Sequence, residues 1–474
     1  MVFYDKPIFF FIGLFFLLGC TDKDSPQCDI LVSNVNIVDV VSGEVIPFHN
    51  VAISGNVISL VEKVHEDKKY RARKIIDGTG KYIMPGLWDN HVHLRGGNAL
   101  VEANKEFLIL FLVNGITGVR DAGGDLTNEI LQWKKQIQNG SLVGPRIFTS
   151  GPKIDGKNAS WEGSLEVETP EEVKKALDSL EVLHVDFVKI YDSKISRDLY
   201  LQTLEQARER HFITSGHMPF TVLLEETVNQ GIGSIEHLYY VLKGCSYREK
   251  EITLEIQQGT VGFWDSFGKI LDTYDPVTAR HTFNLLKEKN TYVVPTLHIG
   301  NVLSNIGAED HEKDPYLQYV NTELVETYDR RIQNLTKTSP EMKKMRCRLQ
   351  QRFKDLVTKL QTAGVPLMAG SDCGAFNSFI YPGESLHSEL EAMVNAGLTP
   401  LEALRTSTFN GASFLHKDNF YGTIDVGKSS DLILLDKNPL ENISHTRTVS
   451  TVIMNGKIYN TKKLKNLLNT TLNL

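Results

Sequence analysis

The feature that most constrains this chain is an alternation: between residues 86 and 373, eight short apolar runs are separated by stretches with helical periodicity. The runs are 86–94, 115–124, 145–152, 185–192, 211–218, 233–240, 291–299 and 365–373. Apolar runs bounded by turn residues fit strands buried on both faces, and strands that alternate with helices build a parallel sheet. The intervening segments carry helix start signals. TPEEVKKALDSLEV opens at Thr169 with Glu172 three residues on, and SRDLYLQTLEQARER opens at Ser196. Eight such units predict an α/β fold, a (β/α)8 TIM-like barrel over residues 85–416.

The two ends have a different texture. Residues 29–84 and 417–462 hold β-branched runs broken by Gly, Asn and Asp, among them the hairpin dipeptide Asn455-Gly456. This predicts one small β-sandwich built from both ends, with 463–474 left as a C-terminal tail. The connections 241–290 and 300–364 are longer than a barrel needs. Being charged and helix-rich, they read either as a cover over the barrel mouth or as solvated surface decoration.

Residues 8–20, IFFFIGLFFLLGC, are too short to span a bilayer comfortably and read as the core of a signal peptide over residues 1–19. The stretch Leu17 to Cys20 resembles the bacterial lipoprotein box. It implies lipid on Cys20, a tether over 20–28, and a protein attached to the membrane by that lipid anchor, in the cell envelope facing periplasm or exterior. The formal net charge is −7 with both signs interspersed, which excludes the basic stripe a nucleic-acid partner needs. Cys28, Cys245, Cys347 and Cys373 form no CxxC and announce neither a disulfide framework nor a zinc knuckle.

In barrels of this kind the reacting groups come from the carboxyl ends of different strands. Six ionisable residues stand there: His91 and His93 on the first strand, Lys189 on the fourth, His217 on the fifth, His237 on the sixth and Asp372 on the eighth. Alternation places His91 and His93 on one face. That pair is weak evidence alone, since chance supplies about 0.4 such pairs in a chain with 14 histidines. Lys189 closes an apolar run where an unpaired ammonium is costly, and Asp372 lies among the small residues of AGSDCG.

The segments PGLWDNHVHL, DFVKIY, SGHM, SIEHL and GSD resemble the metal-binding strand ends of the amidohydrolase superfamily. ELEAMVNAGLTPLEALRTSTFNGASFL resembles its C-terminal helices, and GTIDVGKSSDLILLD its return into the small sandwich. Within the superfamily the chain is similar to the imidazolonepropionase-like and prolidase-like branch. The resemblance covers residues 29 to 460; FLHKDNFYGTI, at the junction of the two domains, departs from it by lacking a small-residue turn.

The resemblance implies hydrolysis of C–N amide bonds with two divalent metal ions, zinc by ligand type. His91 and His93 would hold one ion with Asp372, His217 and His237 the second, and Lys189, carboxylated by CO2, would bridge them. It also implies a metal-bridged hydroxide as nucleophile and Asp372 as the catalytic proton carrier. The expected substrate is a small molecule or short peptide, most specifically a small peptide or an N-acyl amino acid cut in the manner of a prolidase-like dipeptidase or carboxypeptidase. Arg120, Asp121, Tyr191, Tyr239, Tyr240 and His298 are candidates for binding it. Two alternatives stand beside this reading. One is a mononuclear cyclic-amide hydrolase or deaminase, which does not need Lys189; the other is a catalytically silent binding barrel, which predicts eroded ligands. A homo-oligomer is compatible with the sequence.

Overall fold

A computed structural model describes residues 27–65 and 68–472; the expected signal peptide, and with it Cys20, lies outside the described residues. Among the described residues no helix is long and apolar enough to cross a membrane.

Eight parallel strand segments form a ring. In chain order they are β1 (Leu87–His93), β2 (Ile116–Asp121), β3 (Arg146–Thr149), β4 (Val188–Ile190), β5 (Thr214–Gly216), β6 (Ser234–Glu236), β7 (Tyr292–Val294) and β8 (Cys373–Gly374). One arc runs β8-β1-β2-β3 and the other β4-β5-β6-β7, the latter extended beyond β4 by the short strands Ile154–Gly156 and Leu165–Val167. Hydrogen bonds carry the ring across both seams. Asp186 N donates to Thr149 O at 2.9 Å between β3 and β4, and Met368 N donates to Val293 O at 3.0 Å between β7 and the segment entering β8. Seven of the predicted strand runs contain an observed strand, and the eighth, 365–373, meets Cys373–Gly374 at its last residue; apart from the half-buried Arg146, every strand residue of the ring is buried. The predicted helix starts are present too. Thr169 makes a complete capping box with Glu172 before the helix Pro170–Val182, and Ser196 caps Arg197–Glu209.

The two ends of the chain meet in one eight-stranded sheet. Its order is Lys457–Asn460, Val449–Met454, Leu432–Leu435, Tyr82–Pro85, Gln27–Val38, Val45–Ser54 and Val57–Lys63, with Arg71–Asp77 pairing beside Tyr82–Pro85 on the same edge of Gln27–Val38. The expected sandwich arises because this continuous sheet folds over. Ile53 and Ile58 from one limb share a buried cluster with Leu432, Leu434 and Ile453 from the other. Asn455 and Gly456 both have positive φ, 50° and 66°, as a type I′ hairpin turn requires. The first strand starts at Gln27, inside the expected tether, and a helix, Thr461–Asn469, capped by Asn460 and anchored by buried Leu464, runs from the end of the second sandwich segment into the expected tail.

The long connections supply the helices Phe263–Asp272, Asp329–Thr336 and Pro340–Ala363. The last buries Leu349, Phe353, Leu356 and Leu360, a stripe at helical spacing that faces the body of the protein. Phe263, Trp264, Arg331, Arg346 and Phe353 from these helices wall the cavity at the ring mouth. They are therefore a cover, and the surface-decoration alternative is set aside.

Candidate active site

The four histidines expected at the strand ends converge. Ring centroids lie 5.0 Å apart for His91 and His93, 5.2 Å for His91 and His237, and 4.9 Å for His217 and His237. Each imidazole is held through Nδ1. His91 bonds the Glu236 carboxylate, His93 the Gly123 carbonyl at 3.2 Å, His217 the Asp192 carboxylate at 3.2 Å and His237 the Thr296 hydroxyl at 2.7 Å. Such outer partners fix ring orientation, and the acceptors on His91, His93 and His217 also fix the tautomer, leaving Nε2 as their free nitrogen. Burial holds His91, His93 and His217 well below the ordinary histidine range, so they are neutral and able to ligate.

The arrangement around His91 and His93 is the strongest sign of a cation. Glu236 and the Gly123 carbonyl are acceptors, so both Nδ1 atoms carry the proton and both Nε2 atoms present lone pairs. These Nε2 atoms lie 3.2 Å apart, and Asp372 Oδ1 is 3.5 Å from one and 3.2 Å from the other. Three proton-free donors at this separation repel one another until a positive ion sits among them. His91, His93 and Asp372 thus form a donor set of the size and chemistry a divalent ion takes.

Lys189, on β4, is completely buried, and its Nζ has no hydrogen-bond partner. Burial lowers its ammonium to about 8, against the pull of Glu236 and Asp372. Its charge in turn depresses His91 and His217, which places it electrostatically among the imidazoles. An orphaned lysine beside two buried carboxylates and four imidazoles is what a bridging carbamate would relieve.

Two residues of this cluster sit on strained backbone. His237 and Asp372 have φ of 67° and 59°, the left-handed region that non-glycine residues seldom occupy. At His237 this breaks strand alternation, so that both His237 and its neighbour Glu236 serve the same cluster. Just before β8 it places Asp372 Oδ1 against the β1 histidines, where Asn377 Nδ2 also donates to that oxygen at 3.0 Å. Burial raises the Asp372 carboxyl, but the positive charges around it, Arg95 and Arg331 among them, outweigh it and hold it below the ordinary carboxylate value.

Of the expected substrate contacts, Tyr191, Tyr239 and Tyr240 line the mouth cavity, whose volume is about 560 Å³. Tyr240 also donates to Asp192 at 2.8 Å. The remaining candidates lie behind the wall. Arg120 is wholly buried, its guanidinium occupied by Glu236 at 2.8 Å, Ser234 at 3.1 Å and the Asn90 carbonyl. It neutralises Glu236 from below, a supporting position that corrects the substrate-contact expectation. Asp121 accepts from Thr149 Oγ1 at 2.7 Å and Leu94 N at 3.2 Å. His298 follows the strand-seven end on a helix whose first amides are bound by Glu389, while the neighbouring Ile299 and Gly300 face the cavity.

Sequence reasoning missed Glu236, Asp192 and Thr296. The SIEHL and KIYD segments contain the first two, but only the fold shows which imidazole each one holds. It also missed Arg95, Lys153 and Arg331, cations that come from three separate connections.

The sequence profile of the amidohydrolase family matches residues 82–459, and the chain belongs to this family. It is a hydrolytic enzyme acting on carbon–nitrogen bonds. Over 463 residues it is 24% identical to the 5-methylthioadenosine/S-adenosylhomocysteine deaminase of Caldanaerobacter subterraneus subsp. tengcongensis, covering 92% of this chain and 94% of that one. A stretch of 160 residues is 30% identical to adenine deaminase 2 of Agrobacterium fabrum; it covers 30% of this chain and 24% of that enzyme. The crystal structure of a Xaa-Pro dipeptidase with bound methionine shares the fold, with a TM-score of 0.66 at 20% identity over 91% of this chain and 99% of that one.

Proposed function

We propose that this enzyme hydrolyses the amide bond of a small peptide or N-acyl amino acid, at a centre completed by two divalent ions. The observation that carries this reading is the convergence of His91 Nε2, His93 Nε2 and Asp372 Oδ1, with no proton among them, next to the orphaned Lys189. His91, His93 and Asp372 would hold one ion, and His217 with His237 the other. Lys189, carboxylated by CO2 with loss of a proton from its nitrogen, would bridge the two. Ions so held supply Lewis-acid polarisation of a carbonyl and a more acidic water; zinc suits these nitrogen and oxygen ligands.

The protein's own part is positional and protonic. Glu236, Gly123, Asp192 and Thr296 fix the four rings, and Asn377 fixes Asp372 through Oδ1. Asp372 Oδ2 remains to accept a proton from water and pass it to the leaving nitrogen. The helices of the two long connections shield the reacting groups from bulk water. A fold shared with a Xaa-Pro dipeptidase supports a peptide-like substrate, and an orphaned buried lysine favours a bridged pair over a mononuclear site.

A second reading, deamination, is favoured by the deaminase relative that matches nearly the whole chain. One screen separates the two. Metal-loaded protein is offered dipeptides, N-acyl amino acids, lactams and aminopurines, and amine or ammonia release is measured. Turnover of the first two classes supports the proposal, whereas ammonia from aminopurines alone replaces it with deamination. For localisation we propose lipid attachment at Cys20; labelled fatty acid should enter the wild-type chain and not Cys20→Ser, and equal labelling would refute it.

A further inference from the structure

Beside the imidazole cluster the cavity opens into a second chamber, whose walls include Arg95, Lys153, Trp161, Tyr191 and Arg331. Its charge is unusual. Arg95 and Lys153 are 4% and 1% exposed, Arg331 is half-buried, and none of the three forms an ion pair among the described residues. The Arg95 guanidinium lies 3.9 Å from the Trp161 ring centre, and only its Nε is bonded, to the Ala375 carbonyl at 3.1 Å. Lys153 Nζ lies 5.0 Å and 5.2 Å from the ring centres of Trp161 and Tyr191. Asp125 and Glu162 are on the same chamber wall, but neither pairs with these cations, and Asp125 accepts from Gly96 N.

Burying unpaired cations costs free energy, and bringing several together adds repulsion. Burial, with the neighbouring Arg95 adding to it, depresses the Lys153 ammonium well below its ordinary value. The three cations are delivered by unrelated segments: Arg95 just past β1, Lys153 just past β3, and Arg331 on the helix Asp329–Thr336. Asp372, Asp125 and Asp121 act on these cations only at longer range, and such convergence without a contact ion pair among the described residues fits an anion supplied from outside. The main cavity also has an aromatic wall in which Tyr239, Phe263, Trp264 and Phe353 pack ring to ring, with the Arg346 guanidinium over Trp264.

We infer that Arg95, Lys153 and Arg331 form a receptor for a carboxylate on the substrate, and that the aromatic wall takes an apolar group at its other end. The inference rests on the amide-hydrolase reading and narrows it to an amide that joins an apolar acyl group to an amino acid with a free carboxylate. Arginine supplies a forked donor to a carboxylate and lysine a point charge.

The test uses binding, so that it does not depend on turnover. The probes are β-benzoylpropionate, a ketone with no cleavable C–N bond, and its alcohol counterpart, titrated calorimetrically into metal-loaded protein. Wild type should bind the acid at least about tenfold more tightly than the alcohol, as charge-assisted bonds in a buried site provide. In Lys153→Met and in Arg331→Met, checked for unchanged melting and metal content, that ratio should fall below about threefold. A wild type without preference for the acid overturns the receptor. So does a preference intact in both variants, since the carboxylate would then sit on the metals. Should the acid preference behave as expected while no N-acyl amino acid is hydrolysed, the receptor stands and the reaction assignment fails.

Discussion

Nδ1 of His91 is bonded to the carboxylate of Glu236, so the first strand of the ring is tied to the sixth through the residue that a metal ion would need most firmly oriented. Glu236 is in turn held by Arg120 at 2.8 Å and by Ser234 at 2.9 Å. Glu236→Gln removes the charge that fixes the His91 tautomer and leaves the Arg120 guanidinium without its counter-ion. Metal affinity, read by competition with a chromogenic chelator, should fall by about 10- to 100-fold, the usual cost of losing such an outer partner. Unchanged affinity would show that the Glu236 contact does not orient the ligand.

Asp372→Asn separates ligation from proton transfer. The amide retains an oxygen donor but cannot carry a proton, so metal should remain while turnover of an unactivated amide falls by about 10²-fold or more. The deficit should shrink for an activated anilide, whose leaving group needs less protonation. Equal losses on both substrates with metal intact would remove Asp372 from proton transfer.

Away from the site, His387 gives stability a defined pH dependence. It is fully buried in the helix Glu384–Asn395, with Nε2 donating to the Asn114 carbonyl at 3.0 Å and Nδ1 at 2.9 Å from the Thr446 hydroxyl. Burial lowers it from 6.5 to about 4. The folded protein therefore binds this proton less readily than the unfolded chain, so the stabilisation is complete above pH 6.5 and lost as pH falls toward 4. A shift of this size corresponds to roughly 3 kcal/mol. In His387→Gln the stability deficit relative to wild type should be largest near neutrality and shrink by up to that amount between these pH values, measured by urea denaturation. A difference constant with pH would mean that His387 does not titrate as described.

The barrel, and the six candidate residues that it brings together, were legible because both rest on local signals. A fully buried parallel strand is a short apolar run, and catalytic groups of such barrels stand where those runs end. His91, His93, Lys189, His217, His237 and Asp372 each break an apolar run at that place. Glu236 escaped notice because strand alternation assigns it to the face opposite His237, and only the left-handed backbone at His237 brings both to one cluster. Arg120 misled for the complementary reason: a cation at a strand end satisfies the same pattern whether it faces the cavity or lies beneath it. Arg331 was out of reach altogether, since nothing local in a surface-like helix of an insertion reveals that it returns over the ring. The sheet shared by the two ends was readable as strands, whereas its continuity depends on Tyr82–Pro85 pairing with Leu432–Leu435, a contact between distant parts of the chain.

The central claim is that Lys189 joins two ions at one hydrolytic centre, and it is tested most directly by metal stoichiometry in wild type and Lys189→Ala together with the rate of N-acyl amino acid hydrolysis. Elemental analysis after reconstitution with zinc should find about two ions per wild-type chain. In Lys189→Ala it should find about one, with a rate loss that short carboxylic acids partly reverse by occupying the vacated bridge. One ion per chain in both proteins, with hydrolysis undiminished by the substitution, would contradict the account.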